Sequence, residues 1–267
     1  MKNIILRQAK KTDIPTLKNL WQICFNDRMR YIDVFFEHMF VPENTIVAEV
    51  EKRVAGVVYL LERSLNGKKF LYGYAIGVFP EFRGNNICES MLNKVKEYTQ
   101  KNDILFGLHP ANDKLSEFYQ RIGLKEMYSL KEVDATKFSS DECFVLDDIT
   151  ADEFYEMRSN SFVNSVDWDK NALSYILKNG ETIKKIKIEE NYRYFVLNKY
   201  DDVVFVKETT ASDSEILRVS ESIKKHFKAS NIYYLLSSKN TLQGNIKPMI
   251  YGFSQKDDDV YMNLFLD

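Results

Sequence analysis

The chain has 267 residues, 45% hydrophobic and 28% charged, with 37 basic against 39 acidic side chains and a formal net charge of -2. That is the profile of a globular protein with ample core material; the interspersed charges leave no basic stripe for nucleic acid, and no apolar run suits a signal peptide or a membrane span. Three cysteines (Cys24, Cys88, Cys143) and three histidines (His38, His109, His226) fit no zinc spacing, which reads as a protein of the reducing cytoplasm without a metal.

In chain order, residues 3–9 predict a strand. Thr12-Asp13 then open a helix with Pro15 in its first turn and Ile14, Leu17, Leu20, Trp21 and Cys24 at helical spacing. A second helix spans 31–39 and ends before Pro42. Strands follow at 45–50, 55–63 and 69–78, the last two joined by Asn66-Gly67, which both accept the positive φ of a tight hairpin. A helix over 87–101, a strand at 104–108, a helix over 113–122 closed by Gly123 and a strand in GLKEMYSLKEV complete the first half. The order β-α-α-β-β-β-α-β-α-β predicts a mixed α/β domain over residues 1–134, with the strands flanking the 87–101 helix parallel.

A polar stretch at 133–142 separates this from a second domain, 142–267. There the pattern predicts a strand at 143–149, helices at 151–162 (capped by Thr150) and 169–177 (stopped by Gly180), and strands at 182–189, 192–198 and 202–208. A helix at 213–228 and strands at 232–237 and 260–266 follow. The order roughly repeats the first half, as a duplicated fold would, without a residue-level repeat. Phe154, Tyr155, Phe162 and Trp168 read as core, and Asp257 to Asp259 as an exposed turn.

The stretch VFPEFRGNNI, 78–87, ends a strand in a turn that starts a helix. Backbone N–H groups then converge at the positive end of a helix dipole, an anion site by construction. Arg83 adds charge, Gly84 permits close approach, and Asn85-Asn86 supply the non-glycine residue that best tolerates left-handed geometry.

Val78-Phe79-Pro80-Glu81-Phe82-Arg83-Gly84 resembles the V-x-P-x-[YF]-R-G lead-in of the GCN5-related N-acetyltransferase (GNAT) superfamily. NDKLSEFYQRIGL, 112–124, resembles that superfamily's second signature, N-x-x-[AL]-x-x-[FL]-Y-x-x-x-G-[FL], and the order of elements is similar as well. The resemblance implies acyl-CoA binding. The pyrophosphate would lie on the amides of Arg83, Gly84, Asn85, Asn86, Ile87 and Cys88, and the pantetheine arm would pair with the main chain of Ile76, Gly77 and Val78. It also implies roles for Phe118 in cofactor binding, for Asn112 as partner of a pantetheine amide or as helix cap, and for Tyr119 as proton donor to the departing thiolate. Asn86 and Cys88 depart from the pattern by replacing two customary small residues.

For the amine's general base, His109, Tyr74, Glu81 and a water chain all stay open. The second half carries neither motif. Its layout resembles tandem members such as the enhanced intracellular survival acetyltransferases, which implies a degenerate GNAT-like domain that shapes the acceptor site and adds the terminal carboxylate of Asp267 to the candidate bases. YMNLFLD, 261–267, also reads as a plain core strand. The expected function is transfer of acetyl from acetyl-CoA, as cosubstrate, to a primary amine of a small molecule or peptide by direct attack. No nucleic acid, membrane or metal takes part, and a homo-oligomer is left open. The alternatives are a non-catalytic acyl-CoA sensor and a tandem aminoacyl transferase fed by charged tRNA.

Overall fold

The computed structural model describes residues 3–162, 164–254 and 261–262. These cluster into two compact units. One gathers residues 3–127 and Val166–Tyr175 with the segment 250–254; the other gathers residues 128–162, 164–165 and Ile176–Met249 with Tyr261 and Met262.

In the first unit β1 (Ile4–Gln8), β2 (Thr45–Val50), β3 (Arg53–Leu65) and β4 (Lys68–Val78) form an antiparallel succession, and β5 (Leu105–Leu108) runs parallel to β4. Helices α1 (Ile14–Phe25), α2 (Met29–His38), α3 (Ile87–Lys101) and α4 (Asp113–Arg121) stand where the periodicity puts them. α1 buries Leu17, Leu20 and Trp21, and α3 buries Ile87, Met91, Leu92 and Val95. The Trp21 ring centres an aromatic core, 4.7 Å from Phe35, 5.5 Å from Tyr59 and 5.7 Å from Tyr74. Entry into α1 is fixed by Asp13, which accepts from the Lys10 amide at 2.7 Å and from the Nη1 and Nη2 of Arg7 at 2.7 and 3.0 Å. The hairpin turn between β3 and β4 has Asn66 at φ 54° and Gly67 at φ 75°, as its sequence demands.

The second unit takes in most of β6 (Lys125–Asp134). It continues through β7 (Asp147–Asp148), α5 (Ala151–Ser161), β8 (Thr182–Ile188), β9 (Asn191–Tyr200), β10 (Val203–Thr209), α7 (Asp213–Phe227) and β11 (Asn231–Ser237); α6 (Lys170–Lys178), before β8, belongs to the first unit up to Tyr175. β7 to β10 pair antiparallel in sequence, and β11 lies parallel to β10. This is the same succession of pairings as β1 to β5, with helices interposed at the same two places. Even a register shift recurs, between Val206 and Glu208 of β10. A hydrophobic cluster that includes Phe195, Leu197, Val206, Ile216 and Tyr234 forms this unit's core.

Three expectations need correction or limit. The strand expected over 143–149 contracts to Asp147–Asp148; ahead of it the chain is anchored by a side chain instead, the Phe144 amide donating to Ser222 Oγ at 3.0 Å. A strand not foreseen, β12 (Asn245–Gly252), pairs antiparallel with β5 at Tyr251↔Leu108 and Gly252↔Gly107. Pro248 within it and glycines at both ends read as loop signals, and its Asn245–Pro248 half is exposed, where proline's missing donor is tolerated. The strand expected at 260–266 falls, apart from Tyr261 and Met262, outside the described residues, as do Asp257 to Asp259 and Asp267. No helix among the described residues is long and apolar enough to cross a membrane.

Candidate active site

β4 creates the site by parting from its neighbour. Its parallel pairing with β5 runs from Phe70↔Leu105 to Gly73↔Leu108 and stops there. Just beyond, a bulge against β3 takes the partners from Tyr59↔Tyr74 to Val57↔Gly77, with Ala75 in the left-handed region at φ 43°. Past Gly73, no strand among the described residues pairs with the β5-facing edge of β4. Main-chain groups on that edge are free to receive an extended ligand.

After β4 the chain makes a 3-10 turn over Pro80–Phe82 and reaches Gly84 at φ 77°. A side chain at Gly84 would meet nothing within 4 Å, so the loop is open there. Asn86 sits at φ 56°, ψ 22° as the cap residue of α3 and makes no side-chain cap bond. The amides of Ile87, Cys88 and Glu89, which have no acceptor within a helix's first turn, therefore stay available. Asn86 takes the place of a customary glycine in left-handed geometry, and Asn85 braces the turn beside it. The Asn85 side-chain amide folds back onto the carbonyls of Phe82 and Arg83, at 3.0 and 3.2 Å, and holds the turn shut behind the loop.

These elements surround a cavity of about 530 Å³, within the usual range of small-molecule sites. Ten of the twelve residues singled out in the sequence line it: Ile76, Gly77, Val78, Arg83, Gly84, Asn86, Ile87, Cys88, Phe118 and Tyr119. The two that do not are Asn85, which braces the turn, and Asn112, whose Oδ1 accepts the Leu115 amide at 3.0 Å and caps α4. Sequence reasoning passed over Cys24, Phe25, Phe82, Glu89, Leu115 and Arg121, which complete the wall. Leu115, Phe118 and Arg121 recur every third residue on α4, a signal that was available. Cys24 and Phe25 were not separable from the rest of α1.

Charge on the wall favours an anion, with Arg83 and Arg121 against Glu89 alone. Arg83 is held in place by its Nε bond to the Val78 carbonyl at 3.1 Å. Burial, with a smaller push from the Cys88 thiol, keeps the Tyr119 phenol above its ordinary range, hence protonated at neutral pH. Its hydroxyl has no hydrogen-bond partner among the described residues, although the side chain is 5% exposed. Burial and the nearby Glu89 push Cys88 up to about 12, so it stays a thiol and is no nucleophile.

The candidate bases stand elsewhere. Glu81 pairs with Arg53 at 3.1 Å. Tyr74 exchanges hydrogen bonds with the hydroxyls of Tyr31 at 2.6 Å and Tyr175 at 3.0 Å. None of His109, Tyr74 and Glu81 lines the cavity.

A family model, the acetyltransferase (GNAT) domain, matches residues 6–127. This part of the chain is a GNAT domain. The parted strand, the open loop and Tyr119 thus all lie within the GNAT domain's span. The fold of most of the chain is similar to that of a GCN5-related N-acetyltransferase from Anabaena variabilis, at 17% identity and TM-score 0.71 over 93% of this chain and 72% of that one. It is also similar to a probable N-acyltransferase from Enterococcus faecalis (11%, TM-score 0.74, 94% and 72%) and to Eis1 from Mycobacterium abscessus (9%, TM-score 0.66, 93% and 72%). No curated protein sequence matches the chain.

Among the described residues, the second unit offers no counterpart of the open loop. Where β10 leads into α7, Ser212 caps the helix through its side chain and Glu215 returns to the Ser212 amide at 2.7 Å. Asp213 adds a carboxylate in the same first turn. This helix end satisfies its donors with its own side chains and repels further anions.

Proposed function

We propose that the chain is an acetyl-CoA-dependent N-acetyltransferase that passes an acetyl group directly to a primary amine of a small molecule or peptide. The observation that carries the reading is the single cavity in which the free amides around Gly84, the open edge of β4 and the protonated Tyr119 meet. The amides after Arg83 hold the diphosphate, the main chain of Ile76 to Val78 aligns the pantetheine arm, and Tyr119 gives its proton to the departing sulfur. Acetyl-CoA supplies an activated thioester. Holding it in line with an amine contributes much of the rate, and the amine's proton leaves through water. The three free cysteines suit a cytoplasmic setting.

Residues 1–134 carry this chemistry in our reading, and 142–267 are a degenerate GNAT-like domain. The repeated order of pairings supports that assignment, as does the self-capped start of α7 in place of an open loop.

Thiol release from acetyl-CoA across a panel of small amines and peptides is the test. Turnover on any amine, lost in Tyr119→Phe, is expected. A thermal shift with acetyl-CoA but no turnover on the whole panel would instead make the protein an acyl-CoA sensor.

A further inference from the structure

Cys24, in the last turn of α1, has no part in the chemistry above, yet it lines the same cavity as Gly77, Val78 and Arg83. Its thiol donates to the Val78 carbonyl at 3.5 Å, and Nη2 of Arg83 approaches its sulfur at 3.7 Å. Gly77 lets α1 and β4 pack closely at this point, since a Cβ there would lie 3.2 Å from the sulfur. An independent mark of a ligand slot stands on the same wall: the Tyr119 hydroxyl, without a hydrogen-bond partner among the described residues on a side chain 5% exposed.

We propose that Cys24 is a site of covalent modification by disulfides of pantetheine thiols, coenzyme A disulfide in particular. This rests on the coenzyme reading, which lays the pantetheine arm along Ile76 to Val78. The Cys24 thiolate attacks one sulfur of coenzyme A disulfide. The Cys24–CoA disulfide bond forms as the original S–S bond breaks, and the second coenzyme A departs with the electron pair and takes up the proton that Cys24 released. Reactant and product sides each hold one disulfide and one thiol, so no further oxidant enters. The Arg83 guanidinium supplies the counter-charge at the attacking sulfur. Cys88 on the same wall is held as a thiol by burial, and the exposed Cys143 is not part of the cavity. The attached coenzyme A fills the slot needed by acyl-CoA, so the modified protein no longer binds it until a reductant frees Cys24.

The full chain is incubated with coenzyme A disulfide or, separately, with oxidised glutathione, and followed by intact mass and peptide mapping. One coenzyme A adduct is expected on the peptide that carries Cys24, forming about tenfold or more faster than the glutathione adduct because the cavity concentrates the reagent. Excess acetyl-CoA slows it, a reductant removes it, Cys24→Ser abolishes it and Cys143→Ser does not. Equal rates with both disulfides, no protection by acetyl-CoA, or an adduct on Cys88 or Cys143 overturns the proposal. A thermal shift of the unmodified chain with acetyl-CoA separates the two failures. A shift without a Cys24 adduct sinks only this proposal, whereas no shift and no adduct sinks the coenzyme reading with it.

Discussion

Asn85 shows how the residue beside a lost glycine can hold the shape of a turn whose left-handed position Asn86 now fills. The Asn85 amide bonds to Phe82 and Arg83 do the bracing that a glycine loop leaves to the backbone. Asn85→Ala is expected to weaken acetyl-CoA binding several-fold, in line with the loss of about 1 kcal/mol per hydrogen bond, read by calorimetry. Tyr119→Phe removes the one phenol on the wall; kcat is expected to fall by roughly 10²-fold or more, with the affinity for acetyl-CoA nearly unchanged. Asp13 offers a test by pH. The Arg7 bond holds its carboxyl below the usual carboxylate range, so its folded pKa is depressed and its contribution exists above the unfolded value, near 3.9, and fades as pH falls through the folded one. Asp13→Asn should cost about 1.5–3 kcal/mol at pH 7, with the gap to wild type closing well below about pH 4 in denaturant titrations. At this scale residue type was legible, and side-chain direction was not. The sequence says that asparagine tolerates the turn; it does not say that Asn85 points behind the loop while Asn86 faces the cavity, or that Asn112 spends its oxygen on a cap.

The elements that make the site are β4 and α3, and both could be read from alternation and helical spacing. The bulge at Ala75 could not, because it arises from the pairing of β4 with β3, a long-range register that local patterns do not encode. β12 was hidden by the opposite problem. Proline and glycine gave correct local signals for an exposed strand end that tertiary pairing nonetheless recruits. Gly77 ties strand to helix: a Cβ there would meet Leu20 Cδ2 at 2.5 Å, and Leu20 is fully buried. Gly77→Ala is expected to lower stability by about 1–3 kcal/mol, measured as a drop in Tm, and to disturb the wall that Cys24 and Gly77 share.

Across the whole chain, two units repeat one succession of pairings with different uses of the helix that follows the fourth strand. In the first the start of α3 is left open; in the second the start of α7 is closed by its own serine and carboxylates. The second unit instead buries a charge cluster: Arg158 bonds Glu208 at 2.9 Å, and the Tyr194 hydroxyl donates to the same carboxylate at 2.6 Å. Glu208→Gln should cost roughly 3–5 kcal/mol of stability, the usual penalty of breaking a buried pair, while leaving acetyl-CoA affinity intact, since the cavity's wall lies in the first unit alone. The duplicated order was visible in the sequence through element succession, while this cluster was not, for its members lie far apart along the chain. The central claim is that the free amides following Arg83 hold a diphosphate, and calorimetry of acetyl-CoA against S-acetylpantetheine, which lacks that group, tests it most directly. Several charge-assisted bonds at about 1.5–3 kcal/mol each predict that acetyl-CoA binds at least roughly 100-fold more tightly. Equal affinity for the two, or binding of neither, would contradict the account.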